Sequence, residues 1–230
     1  MNNIAAASAS FGVAVSLLAY YAGTLLKKKF NSGLVNPLLI AIVLTVIFLK
    51  LTGIEYTTYN GTAKNLSWFL TPATVSLAIP LYVQIDRLKK NIKAIMISIL
   101  AGSITSFLCV FVMALFFHLD HAQYVTFLPK SITTAIGMSI SEELGGIVPI
   151  TVVAIIVTGI FGNIIGEGVL KLFRITDPVA KGLAMGTSAH AIGTSKAMEM
   201  GETEGAMSSL AIVVAGIIAV VGASLFAGFI

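Results

Sequence analysis

Charge is what this chain has least of. Only 10% of its 230 residues are Asp, Glu, Lys or Arg, where a soluble globular domain carries about 25%. Residues 1–26, 30–49, 65–85, 94–119, 144–166 and 205–230 contain none, and together they make up 142 residues. A bilayer core about 30 Å thick is crossed by roughly 20 helical residues, so each of the six is long enough to span. That excludes a soluble enzyme, a nucleic-acid binder and a disordered chain. Cysteine is nearly absent too: Cys109 stands alone in an apolar run, which excludes disulfides and CxxC metal or redox sites. There is no HExxH, no GxSxG, no Walker A loop and no cluster of His or Cys. No enzyme activity, metal or cofactor is therefore expected. What is present is 57% apolar with a mean hydropathy of +0.98. The fold class expected is an all-α polytopic membrane protein, one domain over residues 1–230.

The net charge of +4 is placed as a topology signal. Lys27, Lys28 and Lys29 follow the first apolar run, and Arg87, Lys89, Lys90 and Lys93 follow the third. Alternating spans put both clusters on one side, which the positive-inside rule makes cytoplasmic. The N-terminus is then outside. A signal peptide carries its positive charge before the apolar stretch rather than after it, so the first run reads as a helix.

The expected spans begin with helices over about 4–26 and from Asn36-Pro37 to about Thr52, followed by a polar loop at 53–64. Residues 65–85 hold Pro72 and Pro80 within one span length, and proline removes a backbone donor and clashes with the preceding turn. A broken helix is expected there, of the kind tolerated only beside protein or a wet cavity. Further helices are expected over about 94–118, 147–173 and 207–230. Residues 128–146 are too polar for a lipid-facing helix yet too apolar for an exposed loop, and residues 174–205 are rich in Gly, Ala, Ser and Thr; whether 128–146 and 182–200 span or re-enter is left open. If 128–146 spans fully, Lys171, Arg174 and Lys181 fall outside; if it dips in and returns, they become cytoplasmic. A spacing of 57 pairs Pro72 with Pro129, Ala78 with Ala135, Ile79 with Ile136 and Gly102 with Gly159, as an inverted repeat would. Six full spans plus two broken or re-entrant segments are expected, with eight spans the alternative.

Polar residues at membrane depth usually mark a pathway, and three segments concentrate them. Thr71, Pro72, Thr74 and Pro80 form the first; a proline break frees amides able to hold an anion. The second runs from Pro129 through Ser131, Thr133, Thr134 and Gly137 to Glu142 and Glu143, the two carboxylates being candidates for proton coupling. The third is GTSAHAIGTSKAMEM, residues 186–200, with two GTS triplets read as short turns. Thr187, Ser188, Thr194 and Ser195 supply hydroxyls, Lys196 a positive charge, and Gly193 a break. His190 lies one helical turn from Thr194 and is the leading candidate for proton coupling. Small-xxx-small spacings such as Gly182-xxx-Gly186 also suit close helix packing.

In TPATVSLAIPLY (71–82), LPKSITTAIGMSISEELGG (128–146), VTGIFGN (157–163), KGLAMGTSAHAIGTSKAMEM (181–200) and EGAMSSLAI (204–212), the chain resembles the LrgB/CidB family of bacterial membrane proteins, most of all its CidB branch. The resemblance implies a location in the bacterial plasma membrane and two competing functions. One is a holin/antiholin-like role, in which the protein works with a small LrgA/CidA-type membrane partner to influence murein hydrolase activity and cell lysis. The other is carrier-like, since plastid relatives move glycolate and glycerate and bacterial pairs of this kind are linked to pyruvate. Homo-oligomers are also expected. Proline breaks, Gly/Thr/Ser segments and an embedded His suit a gated site for a small carboxylate better than a simple lesion. The reading that follows is a carrier for small monocarboxylates of the pyruvate, glycolate, glycerate and lactate class, working by alternating access with proton coupling.

Overall fold

A computed structural model describes residues 8, 10–30, 35–69, 72, 75–76 and 78–230, with the backbone alone described for Ala78, Pro80, Leu81, Arg87 and Leu88. The described residues are helical with no strand. The chain divides into two compact units, Met1–Ser76 and Leu77–Ile230.

In the first unit, α1 (Phe11–Phe30) and α2 (Pro37–Thr52) are joined to α3 (Tyr56–Ala63) and a 3-10 turn, Lys64–Phe69. Asn36 caps α2 by accepting from the amides of Leu38 and Leu39, with Pro37 in the first turn. Gly53, at φ 65°, ends it in the left-handed conformation that favours glycine. The segment expected as a polar loop at 53–64 is largely helix, because its polar groups dock on α1. Thr62 accepts from the amide of Gly12 at 2.7 Å, and the hydroxyls of Tyr59 and Ser16 meet at 2.7 Å.

The second unit is built on three long helices apolar enough to cross a membrane: α5 (Ile85–Phe117, apolar from Lys89), α8 (Val148–Leu172) and α10 (Glu202–Ala227). Short α4 (Ala78–Val83) precedes them. Pro80 lies within α4, and Pro72, Val75 and Ser76 before it are helical as well. Among the described residues these three are the helices that meet both length and hydropathy for a span; α1 ends in three lysines and α2 has 16 residues, about 24 Å at 1.5 Å per residue.

Between the long helices the chain folds twice into helical hairpins. The first comprises α6 (His121–Phe127) and α7 (Thr134–Glu143). Asp120 and Gln123 close a capping box at its entry. The Thr126 hydroxyl accepts from the amide of Ile147 at 2.7 Å, and a Cβ on Gly137 would sit 3.4 Å from the carbonyl of Pro129. Residue 126 opposes 147 while 129 opposes 137, so the arms are antiparallel and the tip lies at residues 130–133.

The second hairpin is α9 (Pro178–Met200). Its backbone leaves helical geometry at Ala189 and at His190, which sits at φ 42° and ψ −137°. Neighbours along α10 show what that does. Gly182 packs on Glu204 and Met207, and Gly186 on Ser208 and Ala211, so the first arm runs parallel to α10. Thr194 then bonds Ser208, and Met198 packs on Gly205, so the second arm runs back. Along α8 the same reversal appears: Met185 meets Gly166, Ala189 meets Gly162, His190 meets Gly159, and then Asn163 bonds the Ile192 carbonyl and Lys196 pairs with Glu167. α9 dips in and returns.

The hairpins enter from opposite ends and their tips meet near the midpoints of all three long helices. Ser131 reaches Ser106 and Thr187 packs on Gly102 of α5. Gly137 and His190 both pack at Ile155 of α8. On α10, Ala211, Ala215, Ala219, Ala223 and Ala227 are buried at every fourth position, a small-residue stripe that admits the hairpins closely. Hairpin followed by long helix occurs twice, with α6 and α9 starting 57 residues apart.

Candidate functional site

Where the tips approach, the second unit carries a half-open cavity of about 560 Å³, within the size range of small-molecule sites. Leu170, Ile175 and Leu183 give it apolar walls, and polar groups collect at one place. The Lys130 ammonium, at the tip of the first hairpin, donates to the Ser131 hydroxyl at 3.0 Å and to the Ser106 hydroxyl at 3.4 Å. Ser106 in turn donates to Ser131 at 3.1 Å. Ser131 therefore accepts twice and keeps its own O–H free to donate. Across the cavity stand Thr187 and Ser188 of the second hairpin. Their hydroxyls donate to backbone carbonyls one turn back, Thr187 to Leu183 at 2.7 Å and Ser188 to Ala184 at 2.6 Å, so toward a ligand they present lone pairs.

Among the described residues no carboxylate lies within ion-pair distance of Lys130, and the ion pairs found join Glu167 to Lys171 and Lys196, and Lys196 to Glu199. Lys130 is a half-buried lysine facing the cavity with hydroxyls beside it and no carboxylate partner among the described residues. Beneath it, a gap of about 10 Å³ between Ser106, Ser131, Thr187 and Ala215 is faced by Ser103. The Ser103 hydroxyl is buried and without a hydrogen-bond partner among the described residues, and the gap has room for about one water. On the other side the cavity shares Ser98, Ala180 and Leu183 with a vestibule of about 250 Å³ that reaches Asn91 and Asp177. This is the end of the unit that carries Lys89, Lys90, Lys93, Lys171, Arg174 and Lys181. No cluster of His, Cys, Asp and Glu able to hold a metal is present among the described residues.

The LrgB-like family model matches residues 16–229. The chain is 45% identical over 221 residues to the antiholin-like protein LrgB of Bacillus cereus strain B4264, with 96% of each chain covered. The same identity and coverage hold for the antiholin-like protein LrgB of Bacillus anthracis strain A0248. The chain belongs to the LrgB-like family. No solved structure matches it, so the fold of this LrgB-like protein stands on its own geometry.

Of the residues singled out in the sequence, Ser131, Thr187 and Ser188 line the cavity. Thr133 and Thr134 start α7 half-buried and lie outside it. Thr71 and Thr74 lie outside the described residues, and Pro72, exposed, accepts from the Ser76 hydroxyl. Glu142 and Glu143 are exposed at the far end of α7. Thr194 is buried and bonded to the His190 carbonyl and the Ser208 hydroxyl, while Ser195 is exposed on the returning arm.

Several expectations are corrected. The GTS triplets are helix rather than turns, and the chain reverses between them at Ala189–His190. Gly137 and Gly193 do not break helices: the Gly137 amide bonds the Thr133 carbonyl at 2.8 Å, and Gly193 lies inside α9. Lacking a Cβ, each lets the facing arm approach, Gly137 against Ile155 and Gly193 against Ala189. Pro129, by contrast, sits where α6 ends and the tip begins. Lys196 is paired with Glu167 at 3.1 Å and Glu199 at 3.3 Å and is not among the residues lining the cavity. His190 is buried and turned from the cavity, its Nε2–H donating to the Ile155 carbonyl at 2.9 Å. The residue that sequence reasoning missed is Lys130. It stands within LPKSITT, but nothing local separates it from the topology lysines. The signal was its place inside a segment already judged too polar for lipid.

Proposed function

We propose that this LrgB-like protein is a carrier for small monocarboxylates, of the pyruvate, glycolate, glycerate and lactate class, working by alternating access between the two hairpins. The observation that carries this reading is Lys130, a lysine with no carboxylate partner among the described residues, facing a mid-bundle cavity with Ser106 and Ser131 beside it. An ammonium there is costly while unpaired, and a single carboxylate would stabilise it. One charge-assisted hydrogen bond contributes about 1.5–3 kcal/mol, and two or three give the modest affinity a carrier needs. Paired hairpins meeting at mid-depth are the arrangement secondary transporters use to expose one site alternately to either side. The basic residues gathered at one end favour that end being cytoplasmic in the plasma membrane of a bacterium.

The relatives' names favour a second reading more directly: both are called antiholin-like. On that reading the protein acts with a small LrgA/CidA-type partner, as a homo-oligomer, on murein hydrolase activity and lysis. Uptake of radiolabelled pyruvate, glycolate and lactate into proteoliposomes, with and without the partner, separates the two. The carrier gives saturable uptake that unlabelled substrate competes away. Non-saturable leak of all three and of a large dye, or no movement at all, supports the antiholin-like role instead.

A further inference from the structure

We propose that Lys130 takes up a proton together with the anion, so that each carboxylate enters the site with one H⁺ and the bound complex is neutral. The inference rests on the carrier reading above and names the group that couples it. The elements packed around the ammonium bring few groups able to compensate it. From α5 come Ser106, Thr105 and Cys109; from α9, Thr187 and Ser188; from α8, Val169 and Leu170. Beneath, α10 contributes Ala215 and Ala219. Among the described residues that line the cavity, Cys109 is the one titratable group besides Lys130, with no Asp, Glu, His or Arg. His190 points to Ile155 and Lys196 is held by Glu167 and Glu199.

An ammonium there has two hydroxyls for company and no charge to balance it. Burial disfavours the charged form of a lysine, whereas an opposite charge within about 4–6 Å favours it. The empty site therefore favours the neutral amine and the loaded site the ammonium. The step is Lys130–NH₂ + H⁺ + R–COO⁻ → Lys130–NH₃⁺···⁻OOC–R. The amine lone pair forms one N–H bond and nothing else is made or broken. The empty site and the loaded site each carry no net charge, which lets the hairpins move past one another at mid-membrane without carrying an uncompensated charge. An arginine in the same place would stay charged in both states.

The test uses the full chain in proteoliposomes loaded with a pH-sensitive dye, counting H⁺ and radiolabelled pyruvate together while the membrane potential is clamped. The expected result is one H⁺ per pyruvate, at a rate independent of the clamped potential. In K130R, pyruvate exchange persists and the accompanying H⁺ is lost; in K130Q both are lost. Where K130R does not turn over, pyruvate protection of Cys109 against a methanethiosulfonate reagent reads its binding, which is then expected to be independent of pH. The ratio in C109S assigns the proton: retained, it stays with Lys130; lost, it belongs to the thiol and the proposal falls. Saturable uptake without H⁺, or an H⁺ ratio unchanged in K130R, overturns the proposal and leaves the carrier reading standing. No saturable uptake of pyruvate, glycolate or lactate removes both.

Discussion

Lys130 and Lys196 show how little a residue type says without its surroundings. Both stand in segments rich in Ser and Thr, and Lys196 has the more suggestive sequence neighbours. Lys196 is nevertheless held between two carboxylates, whereas Lys130 meets hydroxyls alone. Cys109, the chain's single cysteine, lies in the cavity wall and gives a direct readout. Pyruvate is expected to slow its modification by a methanethiosulfonate reagent. Lys130→Gln is expected to raise the half-protecting pyruvate concentration about 10- to 150-fold, the loss of one charge-assisted hydrogen bond, while Lys196→Gln leaves it where it was. Equal effects from the two variants would remove Lys130 from the site.

At the level of elements, the second hairpin depends on glycines that admit side chains rather than on glycines that bend. A methyl on Gly159 would fall 2.7 Å from His190 Cε1 and 2.8 Å from Nε2, pushing the ring off the Ile155 carbonyl. Gly159→Ala is therefore expected to destabilise by about 1–3 kcal/mol, the usual cost of overpacking, seen as a lower Tm for the protein in detergent. Gly61→Ala, where a Cβ would meet nothing within 4 Å, is the control and should not lower Tm. The hairpin's reversal was legible only in part. Small residues at 182–200 announced close packing, but a histidine at positive φ is a conformation few sequences advertise. Its ring bond across to α8 and the burial of its neighbours hold it there, and both are interactions between elements.

For the whole molecule, the two hairpins decide sidedness. Because 121–143 turns back instead of crossing, α8 runs opposite to α5, and Lys171, Arg174 and Lys181 end beside Lys89, Lys90 and Lys93. Single cysteines replacing Lys89, Lys181 and Glu142 in a C109S background check this in sealed vesicles. The first two are expected to react with an impermeant maleimide from one side of the membrane and the third from the other. Labelling of Lys89→Cys and Lys181→Cys from opposite sides would exclude the hairpin arrangement. The carrier and antiholin-like readings also separate at this scale, since alternating exposure needs two hairpins that move apart, whereas a lesion needs apolar helices that gather.

By itself the sequence determined the solvent, the class and the long helices. Six charge-free runs admit little but a membrane, and three of them became α5, α8 and α10, the last two near the expected bounds and α5 beginning earlier, at Ile85, because hydropathy and backbone hydrogen bonding in lipid act along the chain and need no partner. It also marked 128–146 as too polar to meet lipid and 182–200 as rich in small residues and hydroxyls. Only the tertiary structure decided that both become hairpins, that their tips meet, and that Lys130 rather than His190 or Lys196 faces the cavity. Whether a charge is compensated depends on which groups from other helices arrive within a few ångströms, and on how much water they exclude. No local pattern holds that information.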